Sequence, residues 1–425
     1  MHLIDKLNRD IIMNIYLTAV VIIIAGGYLL DLIVENLNLK HVTTELPKEF
    51  EGYYDAQEYT KSQNYLKENT KFALLSDGFF AVLTLSFILF GGFNFIDNIS
   101  RSLNFGQIAS GLIFAGIIMF GSQIIRIPFS VYETFVIEEK YGFNKTTPKT
   151  FVLDLLKSWA LLTIIGGLIF AGIIWFFMKF ASFAWLYSWI TITLFQIFLI
   201  FIAPVIIMPL FNKFIPLEEG ELKNTLENYA KEQDFKMKGL FKMDGSKRST
   251  KSNAFFTGFG KFRRIVLFDT LIEKHSVDEL VSVLAHEMGH YKMKHILKSI
   301  ITSILTLGLM FYILSLFINN AGLFEAFKMQ NLSVYASLFF FGFLYAPINA
   351  VFSVINSIVS RKHEYEADSY AVKTYHKPEA MINALKKLSV NNLSNLTPHP
   401  LKVFLEYSHP PVLERIKAIR KLVLF

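Results

Sequence analysis

The segment His286-Glu287-Met288-Gly289-His290 sets two imidazoles four residues apart, with a carboxylate next to the first. On a helix, positions i and i+4 share a face. Both rings can then grip one Zn²⁺ while the glutamate acts as general base toward a water molecule. The flanks favour a helix. Asp278 and Glu279 stand at its start, Val281, Leu284 and Ala285 give it an apolar stripe, and no proline or glycine interrupts it before Gly289. The competing reading is two surface or core histidines on an ordinary helix.

A catalytic zinc normally takes three protein ligands, and the chain has no cysteine to offer a thiolate. Candidates lie in Ser360-Arg361-Lys362-His363-Glu364-Tyr365-Glu366-Ala367-Asp368. Glu364 and Asp368 are i and i+4, hence on one helix face. Glu366 points roughly 200° from Glu364, at about 100° per residue. One carboxylate can bind metal while the other hydrogen-bonds the far nitrogen of a ligand histidine. Glu364 is the favoured ligand and Asp368 the favoured orienter; the alternative is a solvated, charged helix face. His295 follows His290 by five residues, roughly 140° around a continuous helix. The long motif in which a third histidine joins the zinc needs a glycine-broken turn and a six-residue spacing, and neither is present. His295 therefore reads as an interfacial or chamber-facing residue.

These residues need a frame, and the composition says which kind. Of 425 residues, 53% are hydrophobic and 43 are phenylalanine, and the mean hydropathy is +0.40. Uncharged stretches reach the length of about 20 residues that crosses a bilayer. Seven spans are expected, near 11–33, 72–96, 106–128, 156–178, 184–211, 299–318 and 333–356. Lys6 and Arg9 precede the first run as in a signal peptide. That run is too long for one and lacks a cleavage site, so it reads as a retained span. The chain divides into residues 1–212 with five spans, a soluble region 213–298 with the histidine helix, spans six and seven in 299–356, and a soluble C-terminal region 357–425. The first soluble region should hold a helix (Glu218 to Gln233) and extended runs near 238–244, 253–259 and 264–269, with Gly258 and Gly260 in a turn. Beyond the last span, helices are expected over 361–375, over 378–388 and after Pro410-Pro411.

Two spans separate His290 from Glu364, so both lie on one side of the membrane and can meet. Lys40, Lys61, Lys67, Lys71, Lys140, Lys145 and Lys149 crowd the loops after spans one and three, against Arg101, Lys179 and Lys328 on the other side. The positive-inside rule puts the catalytic side in the cytoplasm. The net charge of +7 is accounted for by these loops, and no nucleic-acid partner is expected. Polar residues within the spans, namely Asp31, Asp77, Gln123, Arg126 and Gln196, should line water or pair between helices.

The chain resembles the type I CAAX prenyl endopeptidases, a family of integral-membrane zinc gluzincins. The likeness rests on His286-Glu287-x-x-His290 with His295, on Ser360 to Asp368, and on Ser252-Asn253-Ala254-Phe255-Phe256 with Arg264 to Asp269. Phe135 to Asn144 and Tyr407-Ser408-His409-Pro410-Pro411 with Glu414-Arg415 extend it. His363 stands where that family usually has an aromatic residue. The resemblance implies an α-helical polytopic membrane protein. Seven transmembrane helices would surround a large chamber, closed by a gluzincin-type zinc metalloprotease domain with a small β-hairpin or sheet. It implies one Zn²⁺ on His286, His290 and Glu364, with Glu287 as base. It also implies that Asn253 and Phe255 lie on an edge strand that pairs with an extended substrate, that His409 donates to the oxyanion, and that Arg415 contacts a substrate carbonyl or carboxylate.

The implied reaction is cleavage near the C-terminus of a prenylated CAAX-type protein, with the bilayer as second partner. In an organism without prenylation, the same machinery would clip membrane proteins and peptides in quality control. A transporter or channel, or a chaperone that works by binding, are the readings from other classes. Absent cysteine, abundant isoleucine, lysine, asparagine and phenylalanine, and no retrieval tail favour a bacterial cytoplasmic membrane over the endoplasmic reticulum.

Overall fold

A chain in hydrocarbon must satisfy its own backbone, and a helix does so within one segment. The computed structural model describes residues 14–43, 45–257 and 263–424, and seven of its helices are long and apolar enough to cross a membrane. α1 (Ile15–His41) begins where the Asn14 side chain accepts from the Tyr16 and Leu17 N–H groups. α2 (Ala56–Leu89) and α3 (Gly92–Ser102) are separated at Gly91, whose φ of 74° turns the chain. α4 (Gln107–Tyr141), α5 (Pro148–Lys179) and α6 (Ala181–Leu210) complete the first five spans.

The second span differs from the expected 72–96. Its helix starts at Ala56, because Asp55 caps it by accepting from the Glu58 N–H at 2.7 Å and because Tyr59 and Tyr65 on its polar half are buried. It ends at the Gly91 turn. Lys6, Arg9 and the first residues of the first span lie outside the described residues, as does the turn assigned to Gly258 and Gly260.

Past the fifth span come β1 (Phe214–Pro216), α7 (Glu221–Glu232), β2 (Gly239–Met243), β3 (Ala254–Thr257) and β4 (Arg264–Phe268). The sheet order is β1-β2-β4-β3. β3 and β4 form the antiparallel hairpin, with Ala254 opposite Leu267 and Thr257 opposite Arg264. β2 runs parallel to β4 and antiparallel to β1. β1 was not among the expected runs; a three-residue strand ending in proline shows no alternation to read. This order leaves β3 at an edge.

α8 (Asp269–Lys274), α9 (Val277–Lys292), α10 (His295–Phe317) and α11 (Ala321–Ala326) lead to α12 (Val334–Tyr375), followed by α13 (Pro378–Asn391), α14 (Pro400–Glu406) and α15 (Val412–Val423). The charged helix expected over 361–375 is no separate element. The seventh span continues into it without a break, as one helix of 42 residues. At 1.5 Å per residue that is about 60 Å, twice the hydrocarbon thickness. Glu364 therefore rides on a helix continuous with the seventh span.

The most apolar stretch of each span is only 6–22% buried, less than a bundle with a packed middle would show. Apolar side chains gather at the two ends instead. One cluster includes Phe93, Phe114, Phe327, Tyr335 and Phe340, from helix ends that the chain's alternation puts opposite the sheet. The other joins the sheet to α7 and α9 through Leu226, Leu240, Leu267, Leu284 and Met288. Between α10 and α12 lies a cavity of about 630 Å³, with Thr302, Ser303, Thr306, Asn349, Ser353 and Asn356 among its walls. Hydroxyl and amide groups at this depth suit water rather than lipid. Of the polar residues inside spans, Gln123 accepts from Trp159 Nε1 at 2.6 Å and Gln196 donates to Ser303 Oγ at 3.0 Å. Arg126 covers the Phe80 ring. Asp31 and Asp77 stay exposed.

Candidate metal centre

The phase of the histidines is set at the start of α9. Ser276 and Glu279 form a capping box: the Glu279 N–H donates to Ser276 Oγ at 3.3 Å, and the Ser276 N–H donates to Glu279 Oε2 at 2.9 Å. Lys387 Nζ adds a 2.8 Å ion pair to the same carboxylate. Val281, Leu284, Ala285 and Met288 are then buried, which turns His286 and His290 toward α12. The two helices cross almost backbone to backbone. A Cβ on Gly289 would lie 2.9 Å from Ala367 Cα, a separation that only glycine permits. That close crossing brings Glu364 to the histidines.

His286 Nε2 and His290 Nε2 lie 3.2 Å apart. Glu364 reaches both, with Oε1 3.2 Å from His290 Nε2 and Oε2 3.5 Å from His286 Nε2. Three ligand atoms thus converge. Among the described residues, no aligned hydrogen-bond donor serves the buried Glu364 Oε2. Arg415 Nη1, 3.1 Å away, gives this oxygen an opposite charge but no aligned hydrogen bond, and a cation between the three groups completes its coordination. Burial opposes a charge on His286, but Asp368 and Glu364 outweigh it and raise the ring's pKa to about 9. The field that draws a proton there also draws a metal ion. The residues present fit a metal.

His286 Nδ1 is 2.9 Å from Asp368 Oδ1, so Asp368 lies where it can hold the ring from behind. Arg415 is buried and grips Asp368 with two hydrogen bonds, Nε to Oδ2 at 2.8 Å and Nη2 to Oδ1 at 2.6 Å. Its Nη1 lies 3.1 Å from Glu364 Oε2. Arg415, expected to meet substrate, meets the centre's own side chains in this structure. Carboxylates of the centre itself occupy its guanidinium, because α15 packs against the outer face of α12. His409 is exposed, with Nε2 3.4 Å from Glu364 Oε1. Arg361 anchors the segment before it by donating to the Val403 and Tyr407 carbonyls.

His295 and Glu366 were not expected to act together. α9 stops at Lys292, and Lys294 takes a left-handed φ of 60°. The 140° separation of a continuous helix does not apply, and the His295 Nδ1 comes 3.1 Å from His290 Nδ1. Its Nε2 is 2.9 Å from Glu366 Oε2. A metal on His290 Nε2 requires the proton on Nδ1, which then donates to His295 and through it to Glu366. Residue spacing gave no signal for this pairing, because it needs the turn at Lys294 to bring the start of α10 against α12.

Glu287 lines a cavity of about 510 Å³ together with His290, Phe255, Phe256 and Gln196. Withdrawal from water raises its carboxyl pKa above the ordinary glutamate range, while His286 and His290 pull the other way. Asn253, just before β3, is exposed, and its Oδ1 accepts from the Ala254 N–H at 2.8 Å. Next to it, the Ser252 backbone exchanges two hydrogen bonds with the Asn392 amide, at 3.0 and 3.1 Å. This holds the edge strand above the cavity.

The pattern of the CAAX prenyl protease N-terminal region, with five membrane helices, matches residues 35–213, and that of peptidase family M48 matches residues 216–423. The chain belongs to peptidase family M48. CAAX prenyl protease 1 of Saccharomyces cerevisiae is 36% identical over 403 residues, 88% of each chain. The human CAAX prenyl protease 1 homolog is 32% identical over 424 residues, covering 89% of each. The crystal structure of S. mikatae Ste24p superposes with a TM-score of 0.90 at 33% identity, covering 95% of this chain and 99% of that one. The chain is thus a multi-pass membrane metallopeptidase, not a transporter or channel.

In this M48 member the stretch Phe135 to Asn144 is a strut. Glu138 Oε1 accepts from Tyr65 Oη at 2.5 Å and Lys251 reaches Glu138 Oε2 at 3.0 Å. Arg248 forks onto Asp154 at 2.7 and 3.0 Å. These ties lock α2, α4 and α5 to the segment leading into β3.

Proposed function

We propose that this protein is a zinc metalloendopeptidase that cuts near the C-terminus of prenylated CAAX-type proteins. The observation that carries the reading is the set of His286, His290 and Glu364 beside an edge strand and a cavity of about 510 Å³, in a chain with seven candidate membrane spans. The names of the yeast and human relatives support the substrate class. Zinc suits two imidazoles and a carboxylate, and ligands about 2.0–2.1 Å from a tetrahedral ion stand about 3.3 Å apart, close to the 3.2 Å between the two nitrogens. When bound, zinc supplies a Lewis acid for the scissile carbonyl and acidifies water.

The protein's own residues do the rest. Glu287, with its raised pKa, takes the proton of the attacking water on its carboxylate and returns it to the leaving amine. The substrate backbone pairs with β3, extended from Asn253 past Phe255. His409, exposed beside Glu364, donates to the oxyanion. Asp368 fixes His286, and Arg415 positions both carboxylates rather than touching substrate. The prenyl chain rests in the chamber or the adjoining bilayer. Residues 1–212 and 299–356 serve as the barrel, and 213–298 with 357–425 as the protease unit. Loop charges support a cytoplasmic position for that unit. Composition favours a bacterial cytoplasmic membrane, whereas the relatives' eukaryotic sources favour the endoplasmic reticulum; fractionation distinguishes them.

Pairing through backbone groups reads little sequence, which supports broad clipping of membrane peptides as a second reading. A farnesylated C-terminal peptide and its unprenylated twin separate the two. Preferred cleavage of the farnesylated peptide is expected, and equal cleavage would remove the prenyl-specific proposal.

A further inference from the structure

We propose that His295, His363 and Glu366 form a second, lower-affinity site for a divalent transition-metal ion, and that filling it inhibits the first. Each residue offers a ligand atom, and the three atoms lie within 4.8 Å of one another. His295 and His363 are buried, with ring centroids 3.9 Å apart and planes 10° from parallel; an ion shared by both requires one ring to turn about its Cβ–Cγ bond so that the in-plane lone pairs converge. His295 Nε2 already faces Glu366 Oε2 at 2.9 Å. The cluster has an entry path, since His295 and His363 both line the cavity of about 510 Å³, and His363 also borders the larger one. Two imidazoles and one carboxylate select Zn²⁺, Co²⁺ or Ni²⁺ over Mg²⁺ or Ca²⁺, which prefer oxygen ligands.

Two lysines set the affinity below that of the first site. Lys362 lies 3.9 Å from Glu366 Oε1 on a side chain that is 76% exposed, so it can swing into solvent. Lys298 borders the larger cavity beside His363.

The inhibition follows from proton positions. A neutral imidazole carries one N–H and one lone pair. With an ion on His290 Nε2, the His290 Nδ1–H donates across 3.1 Å to the His295 Nδ1 lone pair, so the proton of His295 sits on Nε2. A second ion needs that Nε2 lone pair and moves the proton to Nδ1. Two N–H groups then face each other across the same gap. Either His295 swings away or His290 loosens its hold on the first ion. The two ions compete through one hydrogen bond.

This inference rests on the zinc-peptidase reading for the first site only, and ion counting needs no substrate. Full-length protein is stripped with chelator and titrated with buffered free Zn²⁺. Bound zinc per chain and peptide cleavage are followed together. Wild type should take up two ions in sequence, with activity rising on the first and falling on the second. His363→Phe keeps a flat ring against His295 and removes the ligand nitrogen. It should bind the first ion as wild type does and lose affinity for the second by at least the ~10–100-fold that outer-sphere losses cost. Its inhibition should disappear. Retention of first-ion binding reports the fold; should His363→Phe lose both ions, His363→Leu replaces it. A single ion per chain in wild type at all zinc concentrations overturns the proposal, as does unchanged second-ion binding in the variants. Peptide inactivity with one ion bound sinks the function reading, whereas uptake of a second, His363-dependent ion leaves the second site standing.

Discussion

At the end of the barrel away from the sheet, Phe327 and Phe340 stack at 3.9 Å, and Phe93 meets both edge-on at 5.4 and 5.3 Å. At the sheet end an apolar cluster is joined by buried polar groups, His286, Glu364, Asp368 and Arg415. The two ends are held together by different balances of forces. Apolar packing is non-directional and grows with the area removed from water. Polar pairing holds only where each donor meets an acceptor, since an unpaired charge at that depth is costly. The buried Asp97 carboxylate at the aromatic end is held by Arg101 at 2.7 Å and by Tyr335 Oη at 2.5 Å. The first end thus carries stability that chemistry does not touch. The second carries chemistry whose stability depends on a metal and on the charges around it.

If the division holds, Glu287→Gln gives the largest effect. Peptide cleavage should fall by about 10²–10⁴-fold, the usual contribution of a general base, with metal content and thermal unfolding unchanged. Wild-type turnover in that variant would end the mechanism. Phe340→Ala tests the opposite end. It should cost about 3–5 kcal/mol of stability, read as a lower unfolding temperature, while metal affinity stays at the wild-type value. A matching loss of metal would mean that the two ends are coupled along the spans. Asp368→Asn should weaken metal binding by about 10–100-fold, measured by chelator competition, and also strand the Arg415 charge. Unchanged metal affinity would reduce Asp368 to a packing residue. Ser276→Ala is the smallest change. Loss of the cap should cost about 1 kcal/mol and lower the unfolding temperature slightly without altering the metal site.

The sequence by itself determined what depends on short spacing. Four residues on a helix put His286 beside His290, long apolar runs became spans, and an even number of crossings returned Glu364 to the face of His290. Strand runs over 238–269 were legible for the same reason, because alternation and turn residues are local. Tertiary structure alone decided the rest. That β3 lies at an edge follows from β2 pairing parallel to β4, a contact that residue patterns do not encode locally. The helix that carries Glu364 is a span that fails to end at residue 356, because nothing breaks the helix where the membrane stops. His295 reaches His290 only through the left-handed turn at Lys294. Arg415, 47 residues from Asp368, meets it only because α15 packs against α12. Gly289 looks like filler inside its motif, and the 2.9 Å approach of Ala367 reveals why no side chain fits there. Spacing fixes which groups share a face, whereas partners far apart in the chain are chosen by packing and by the need to pair every buried charge.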